Sequence, residues 1–188
     1  MGGMSLTDML AGVSLLAVLG VFGAITLASF RHFARDRDSM GMKLIRVLSL
    51  TGTLGLTGLS IWQSGPFPML AIVALLFAGL SWRILTLALQ ATDPGTLDVA
   101  FTGTGPDELV TSGIYAQIRN PLYSAYIVYW AAWVPLTGFH WISVLVLMGF
   151  VGLYVLAAVQ EEAFLRRSHG ISYQMYEANT GRFLPRIF

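Results

Sequence analysis

Five long apolar runs constrain the fold of this chain more than any other feature of its sequence. They are Met9–Phe30, Leu44–Trp62, Pro68–Trp82, Leu122–Leu136 and Trp141–Val159. A helix needs about 20 mostly apolar residues to cross the hydrocarbon core of a bilayer, so we expect the short third run to continue as helix to Gln90. Charged residues make up only 11% of the chain, against about 25% in a typical soluble domain. The sequence therefore predicts an all-α integral membrane protein with five transmembrane helices.

The lysine and arginine residues indicate how these spans are oriented. All 11 lie on one side if the chain crosses the membrane five times. They fall in segments 31–43, 83–121 and 160–188, with Arg46 just inside the second span. The other side, formed by the N-terminus and two short connections, has none. Because lysine and arginine collect on the cytoplasmic side of a membrane, we expect an external N-terminus and a cytoplasmic C-terminus.

Five spans occupy more than half of the chain, so we expect one membrane domain over residues 1–188 and no separate soluble domain. Residues 1–90 hold the first three spans. Residues 91–188 hold the last two spans and the longest polar segments. Within these segments the sequence predicts a short strand at 96–101, a helix end at Gly170 and a second short helix after it.

The fourth run opens with Arg119, Asn120 and Pro121. Proline suits the first position of a helix, because the N–H that it lacks would be unpaired there anyway. One interpretation is a plain helix start whose arginine reaches the membrane surface. The other is a polar pocket, formed by Arg119, Asn120 and the free N–H groups of the helix start, which would suit a carboxylate. The residues alone leave both interpretations open.

Two adjacent glutamates stand at the inner end of the fifth run. Glu162 has a partner for an ion pair in Arg166, four residues further along the helix. Glu161 lies about 100° away around the helix, where no partner stands at that spacing. Ionisable side chains near membrane depth usually face a cavity, so we expect Glu161 to have a functional role.

Three motifs in the C-terminal part carry a family resemblance. They are ELVTSGIYAQIRNPLYSAY, EEAFLRRSHGISYQMY and TGRFLP, in this order. Together they resemble the isoprenylcysteine carboxyl methyltransferase family, which is related to the phospholipid methyltransferases. The match runs from about Asp107 to Pro185, and the size and the Thr-Gly-Arg ending resemble the short prokaryotic members. The resemblance implies a methyltransferase of the prokaryotic inner membrane, with its motif region in residues 91–188.

The resemblance also implies that S-adenosylmethionine is the cofactor and that its site faces the cytoplasm. The residues that it places against the cofactor are Asp107, Glu108, Leu109, Val110, Tyr115, Asn120, Pro121, Leu122, Tyr123 and Glu161. The rings of Tyr115 and Tyr123 suit a cation or the adenine. Glu161 suits the ammonium or the ribose, and Arg119 suits a carboxylate. Catalytic roles are predicted for Arg119, Glu162 and Arg182. Alignment of donor and acceptor in a dry site would supply most of the catalysis.

The sequence departs from the family pattern where Asp107 and Asn120 replace histidines. Eukaryotic members also carry a basic residue before the paired glutamates, where this chain has VLAAVQ. This difference argues against a prenylated protein as substrate. We therefore expect membrane lipids as partners and a lipophilic small molecule or a lipid as methyl acceptor. Its expected lateral entrance is a gap on the fourth span beside Ser124, Ala125, Ala131 and Ala132.

Two other functions stay open on the sequence. A membrane reductase of the sterol C14-reductase type shares a related C-terminal pattern and uses NADPH. That group is much larger, however, and this chain has no arginine cluster for a 2′-phosphate. A non-catalytic lipid-binding membrane protein is the third reading, because both histidines are replaced. We expect neither a metal nor a nucleic acid as partner, since cysteine is absent and the three histidines lack metal-binding spacing.

Overall fold

The computed structural model describes residues 5–32, 40–63, 68–92 and 109–186. Its helices are α1 (Leu6–His32), α2 (Met40–Trp62), α3 (Pro68–Gln90), α4 (Pro121–Leu136) and α5 (Trp141–Asn179). A 3-10 turn, Gly113–Ala116, precedes α4, and no strand occurs within these described ranges. The predicted all-α fold is confirmed, and each predicted span lies within one helix. The strand predicted at 96–101 lies outside the described residues.

Length and composition identify four of these helices as able to cross a membrane. They are α1, α2, α3 and α5. The remaining helix, α4, has 16 residues and rises about 24 Å, which is less than the roughly 30 Å of a hydrocarbon core. The described part of the chain is thus an all-α membrane protein with four candidate spanning helices. The five-span count and the orientation stay predictions.

The short helix α4 lies at the centre of the bundle. It packs against α1, α3 and α5, and its side chains Tyr129, Trp130 and Trp133 are almost completely buried. Trp130 stacks on Phe150 of α5, with ring centroids 3.9 Å apart. At Gly52 of α2 a Cβ would come within 3.0 Å of the Trp130 ring, so the glycine allows α2 to approach this part of α4. Other helices, rather than lipid, therefore cover most of this apolar run.

Polar side chains connect α4 to its neighbours inside the apolar bundle. Ser81 Oγ of α3 donates to the carbonyl oxygen of Ala125 at 2.8 Å. The hydroxyls of Thr53 on α2 and Tyr129 share a hydrogen bond of 2.7 Å. Hydrogen bonds between helices in lipid are worth on the order of 0.6–2 kcal/mol each. These two bonds fix the position of α4 against helices on two of its sides.

The lateral gap expected on α4 is not present. Ser124, Ala125 and Ala132 are buried, and Ser124 Oγ donates to the carbonyl oxygen of Phe183 at 2.7 Å. Small side chains let neighbouring helices come close, and here they admit α3 and the C-terminal tail instead of a ligand. The predicted entrance was therefore wrong at Ser124, Ala125 and Ala132, while Ala131, the fourth residue named for it, is half-buried.

The long helix α5 contains a break at Gly170, where φ is 52° and ψ is −123°. Glycine adopts this left-handed conformation at little cost. The predicted helix end at Gly170 and the second helix after it are therefore confirmed. The second part ends at Asn179, and the break directs the following tail back towards the start of α4.

Candidate active site at the start of α4

The C-terminal tail is fastened to the segment that precedes α4. The Gly181 N–H donates to the carbonyl oxygen of Gln117 at 3.0 Å, and the Arg119 N–H donates to that of Gly181 at 2.8 Å. The Asn120 N–H donates to the carbonyl oxygen of Arg182 at 3.1 Å. We call the two paired segments, residues 117–120 and 180–183, the tail clasp.

Two further contacts hold the bent path of this tail. A Cβ at Gly181 would collide with the carbonyl oxygen of Leu184, so the Thr-Gly-Arg motif needs its glycine. The Tyr176 hydroxyl of α5 donates to the carbonyl oxygen of Tyr115 in the 3-10 turn at 2.7 Å. The end of α5 is thereby attached to the polar start of α4 at two separate points.

Glu162 is the centre of a charged cluster under the tail clasp. Its side chain is only 1% exposed and accepts hydrogen bonds from Arg182 Nη2 and Asn120 Nδ2, both at 2.9 Å. Arg119 Nε donates to the same carboxylate at 3.3 Å, and Arg166 Nη2 lies 3.5 Å from it. The sequence predicted the Arg166 pairing alone, on a solvated helix surface. The fuller set of partners follows from burial, because a buried carboxylate is costly unless several groups compensate its charge.

The guanidinium of Arg119 contacts other groups of the protein and is largely shielded from solvent. Its side chain is 9% exposed. Besides contacting Glu162, its Nη1 donates to the carbonyl oxygens of Glu177, at 3.0 Å, and Thr180. These carbonyls belong to the end of α5 and to the start of the tail. Arg119 therefore joins the segment before α4 to α5 and the tail clasp.

A second carboxylate, Glu177, lies at the edge of the same cluster. Arg166 Nε and Nη2 donate to its two oxygens at 2.8 and 2.5 Å, and Arg119 Nη2 lies 3.7 Å away. The hydrogen bond from Arg166 holds the pKa of the Glu177 carboxyl below its usual value. With Arg182 included, three guanidinium groups face two carboxylates. The cluster thus has one positive charge in excess, which suits an anionic group. The sequence had indicated no arginine cluster, because these three residues come together only in the folded chain.

Glu161 belongs to a different environment from its neighbour. The Tyr123 hydroxyl of α4 donates to Glu161 Oε1 at 2.6 Å. The Tyr123 ring stacks on that of Tyr154 at 5.6 Å and meets the edge of Tyr126 at 6.3 Å. The two glutamates therefore lie in separate surroundings, one among aromatic rings and one among arginines. A carboxylate beside aromatic faces suits a cation.

Tyr115 is buried in the 3-10 turn that precedes α4. Burial, followed by the influence of Tyr176 and Glu161, raises the pKa of the Tyr115 phenol above its ordinary value. Gly113 begins the turn with a φ of 59°, and a Cβ there would lie 3.2 Å from the Ala91 side chain at the end of α3. Tyr115 stays neutral at physiological pH and offers a ring and a hydroxyl.

Comparison with known proteins places the chain in a family. A model of the family described as phospholipid methyltransferase matches residues 68–172, more than half of the chain. The chain belongs to the phospholipid methyltransferase family. The resemblance to the related isoprenylcysteine carboxyl methyltransferases is thereby confirmed at the family level. No curated protein matches the chain.

In this member of the phospholipid methyltransferase family, the matched segment runs from α3 to the residues just after Gly170. It ends before Glu177 and before residues 180–183 of the tail clasp. Glu161 and Glu162 therefore lie inside the match, whereas Glu177 and the tail lie outside it. Among the residues that the structure describes, no group of histidine, aspartate and glutamate side chains could hold a metal ion.

Most of the residues predicted for the cofactor site are brought to one place. Those gathered around the start of α4 are Tyr115, Asn120, Pro121, Leu122, Tyr123 and Glu161. Leu109 and Val110 are half-buried where the described chain resumes, and Val110 packs on the core. Asp107 and Glu108 lie outside the described residues. The predicted catalytic residues, Arg119, Glu162 and Arg182, all belong to the charged cluster.

Sequence reasoning missed Glu177 as a member of this cluster and Phe183 as a partner of α4. Glu177 stands 11 residues after Arg166, a spacing that brings the two side chains together only because the helix breaks at Gly170. Phe183 contacts α4 through its backbone carbonyl, and a backbone contact of this kind does not depend on the residue type and so cannot be read from the sequence. The Gly170 prediction was the one signal that could have suggested the first contact.

Proposed function

We propose that this family member is a membrane-embedded methyltransferase that uses S-adenosylmethionine and acts on a lipophilic small molecule or a lipid. The observation that carries the proposal is the contact between Tyr123 and Glu161 beside stacked tyrosine rings, at the start of α4. Membership of a methyltransferase family favours methyl transfer over the NADPH-dependent reductase and over a non-catalytic lipid-binding protein.

The groups present at the site fit the chemistry of this cofactor. Its sulfonium and ammonium cations would lie near the Glu161 carboxylate and the faces of Tyr115 and Tyr123. Its carboxylate would lie towards the charged cluster, where Arg182 is 37% exposed and one positive charge is in excess. Leu109, Val110, Pro121 and Leu122 would supply apolar walls, and Asp107 and Glu108 complete the predicted lining.

When bound, the cofactor would supply an electrophilic methyl carbon on a cationic sulfonium. An acceptor atom would form a bond to that carbon as the carbon–sulfur bond breaks, with its electron pair left on sulfur. The chain contributes alignment and exclusion of water, which can lower such a barrier by up to about 7–11 kcal/mol. An ionised carboxylate acceptor would need no general base, and an amine would have to lose its proton before attack.

We further propose distinct tasks for the three predicted catalytic residues. Arg119 and Glu162 are positioning residues, because their polar atoms are engaged by the tail and by each other. Arg182 also contacts Glu162 but is more exposed, so it is the member of the three that can contact an anionic group. The cluster would hold the start of α4, and with it Tyr123, at a fixed distance from Glu161.

The proposed placement is the inner membrane of a prokaryote, with five spans, an external N-terminus and the site facing the cytoplasm. The basic side chains on one side of the membrane support this orientation. We count α4 as the extra span, because its burial among other helices removes the need to match the full thickness of the lipid. The whole chain would then form one membrane domain.

Calorimetric titration of the purified protein with S-adenosylmethionine, and separately with NADPH, tests the proposal. We expect saturable binding of S-adenosylmethionine and none of NADPH. Binding of NADPH alone would support the reductase. Binding of neither ligand would support a non-catalytic lipid-binding protein, and both of these results would contradict the methyltransferase.

A further inference from the structure

A tyrosine near the end of α5 donates to a backbone carbonyl that the 3-10 turn leaves without a backbone donor. In a continuing α-helix, the carbonyl oxygen of Tyr115 would accept from the N–H of Arg119, four residues later. That N–H donates to Gly181 of the tail clasp instead, at 2.8 Å. Within the described part of the chain, no backbone N–H donates to the Tyr115 carbonyl, and the Tyr176 hydroxyl takes that place at 2.7 Å. The pairing of the tail with residues 117–120 thus creates the acceptor that Tyr176 uses.

The 3-10 turn has little packing of its own to hold it. It spans only Gly113–Ala116, and both of these end residues are exposed. Hydrogen-bond geometry in a 3-10 turn is poorer than in an α-helix. The buried side chain of the turn is that of Tyr115, which belongs to the same apolar cluster as Leu122 and Tyr126. One further hydrogen bond to the carbonyl of this residue therefore has a large share in fixing where its ring lies.

Tyr176 is itself held by its neighbours in the second part of α5. Its ring and that of Tyr173 meet edge to face at 5.9 Å, and Tyr173 is only 1% exposed. The carbonyl oxygen of Tyr176 accepts from Thr180 Oγ1 at 2.7 Å, where the tail begins. The next residue, Glu177, is ion-paired with Arg166. A side chain anchored in this way can fix the turn relative to α5.

The neighbouring tyrosine provides a matched comparison. Tyr173 lies three residues before Tyr176, on the same face of the helix. Its hydroxyl is buried, but it has no hydrogen-bond partner among the residues that the structure describes. Packing of the ring accounts for Tyr173, whereas the hydroxyl of Tyr176 has a specific partner in another segment of the chain.

We propose that Tyr176 is a positioning residue of the candidate active site, which holds the Tyr115 ring against the sulfonium of the bound cofactor. This inference rests on the proposed function and makes one part of it more specific. An aromatic face attracts a cation within about 6 Å of the ring centroid, so a ring that moves away loses this attraction. Tyr176 acts through the Tyr115 carbonyl and does not itself contact the cofactor. It lies outside residues 68–172, which the family model matches.

The first test measures whether the hydrogen bond holds the turn. Tyr176→Phe and Tyr173→Phe are compared in the full-length protein, because each variant keeps a ring and loses one hydroxyl. Amide hydrogen exchange is followed at Tyr115 and Gln117, whose N–H groups are bonded within the turn segment. We expect roughly fivefold faster exchange at both amides in Tyr176→Phe, as for the loss of one neutral hydrogen bond, and no change in Tyr173→Phe. The Asn120 amide, which is bonded across the clasp, should keep its protection in both variants.

The second test separates positioning of the ring from general loosening of the site. S-adenosylmethionine carries a sulfonium cation, whereas its demethylated product, S-adenosylhomocysteine, carries a neutral sulfur at the same place. In calorimetry we expect S-adenosylmethionine to bind about fivefold more weakly to Tyr176→Phe than to the parent, and S-adenosylhomocysteine to stay within about twofold. Tyr173→Phe should bind both ligands as the parent does.

Four results would overturn this inference. Unchanged exchange at the turn in Tyr176→Phe would mean that the hydrogen bond does not hold it. Equal weakening of both ligands would show a loosened site and no specific placement of the ring at the sulfonium. Equal effects of Tyr176→Phe and Tyr173→Phe would remove the role of the hydrogen bond. A parent protein that binds neither ligand would refute the proposed function and with it the role towards the cofactor, whereas normal binding by the parent and by Tyr176→Phe would refute the positioning role alone.

Discussion

Replacement of Glu162 by glutamine removes the charge that holds the tail clasp together. The substitution removes the one carboxylate that all three of Arg119, Arg166 and Arg182 face, while the side-chain volume is almost unchanged. Arg119 and Arg166 keep Glu177 as a partner. Removal of one partner of a buried ion pair typically costs about 3–5 kcal/mol. Arg166 and Arg182 are 38% and 37% exposed, so water can compensate them, whereas Arg119 is nearly buried. We therefore expect the low end of that range, about 3 kcal/mol, localised in the clasp.

Amide hydrogen exchange measures this loss where it occurs. The N–H groups of Arg119, Asn120 and Gly181 are all bonded across the clasp. A loss of about 3 kcal/mol corresponds to roughly 100-fold faster exchange through local opening. Amides in the centre of α4 should keep their protection. The control is Glu161→Gln, because the Glu161 carboxylate accepts a hydrogen bond from the Tyr123 hydroxyl beside the stacked tyrosine rings.

Two results of the exchange experiment would refute this reasoning. Clasp amides in Glu162→Gln that exchange within about threefold of the parent would mean that the backbone pairing holds the tail without the charge cluster. An equal effect of Glu161→Gln would mean that the two glutamates do not belong to separate clusters.

Three further outcomes are expected. Glu161→Gln should weaken binding of S-adenosylmethionine in calorimetry by about 1.5–3 kcal/mol, roughly 10- to 100-fold, and more than Glu162→Gln does; equal losses would contradict separate roles. Arg166 lowers the pKa of the Glu177 carboxyl in the folded protein. The ionised carboxylate therefore stabilises the fold above the ordinary pKa of 4.5, and this contribution is lost as the pH falls through the lower pKa of the folded state. The difference in melting temperature between the parent and Glu177→Gln should therefore shrink in acid, and a difference that grows would oppose this account. Reporter fusions should place the N-terminus outside and the C-terminus in the cytoplasm, and termini on the same side would exclude five spans.

Local signals in the sequence predicted the helices well. The apolar runs located all five helices, Pro121 marked the first turn of α4, and Gly170 marked the break in α5. Each of these signals depends only on the local backbone conformation of the residue itself or of the residues next to it in the sequence. The family motifs also named segments that lie together in the fold, because residues from 115 to 123 contact residues from 161 to 182.

Contacts between distant segments could not be read from the sequence. The run that forms α4 has the composition of a lipid-facing span, and only its packing shows that other helices cover it. The small residues on α4 were predicted to leave a gap, and the burial of Ser124, Ala125 and Ala132 shows close packing instead. Glu162 showed one arginine at helical spacing, while Arg119 and Arg182 reach it through the tail clasp.

The most direct test of the central claim is methyl transfer in proteoliposomes. The protein is incubated with S-adenosylmethionine labelled in its methyl group, and label is counted in the extracted lipid, in the aqueous phase and on an added farnesylcysteine analogue. We predict label in the lipid fraction for the parent protein and its loss in Glu161→Gln. Label confined to water-soluble products would contradict a lipophilic acceptor, and strong labelling of the farnesylcysteine analogue would contradict the argument against prenylcysteine substrates. Lipid labelling that survives unchanged in Glu161→Gln would contradict the site at the start of α4.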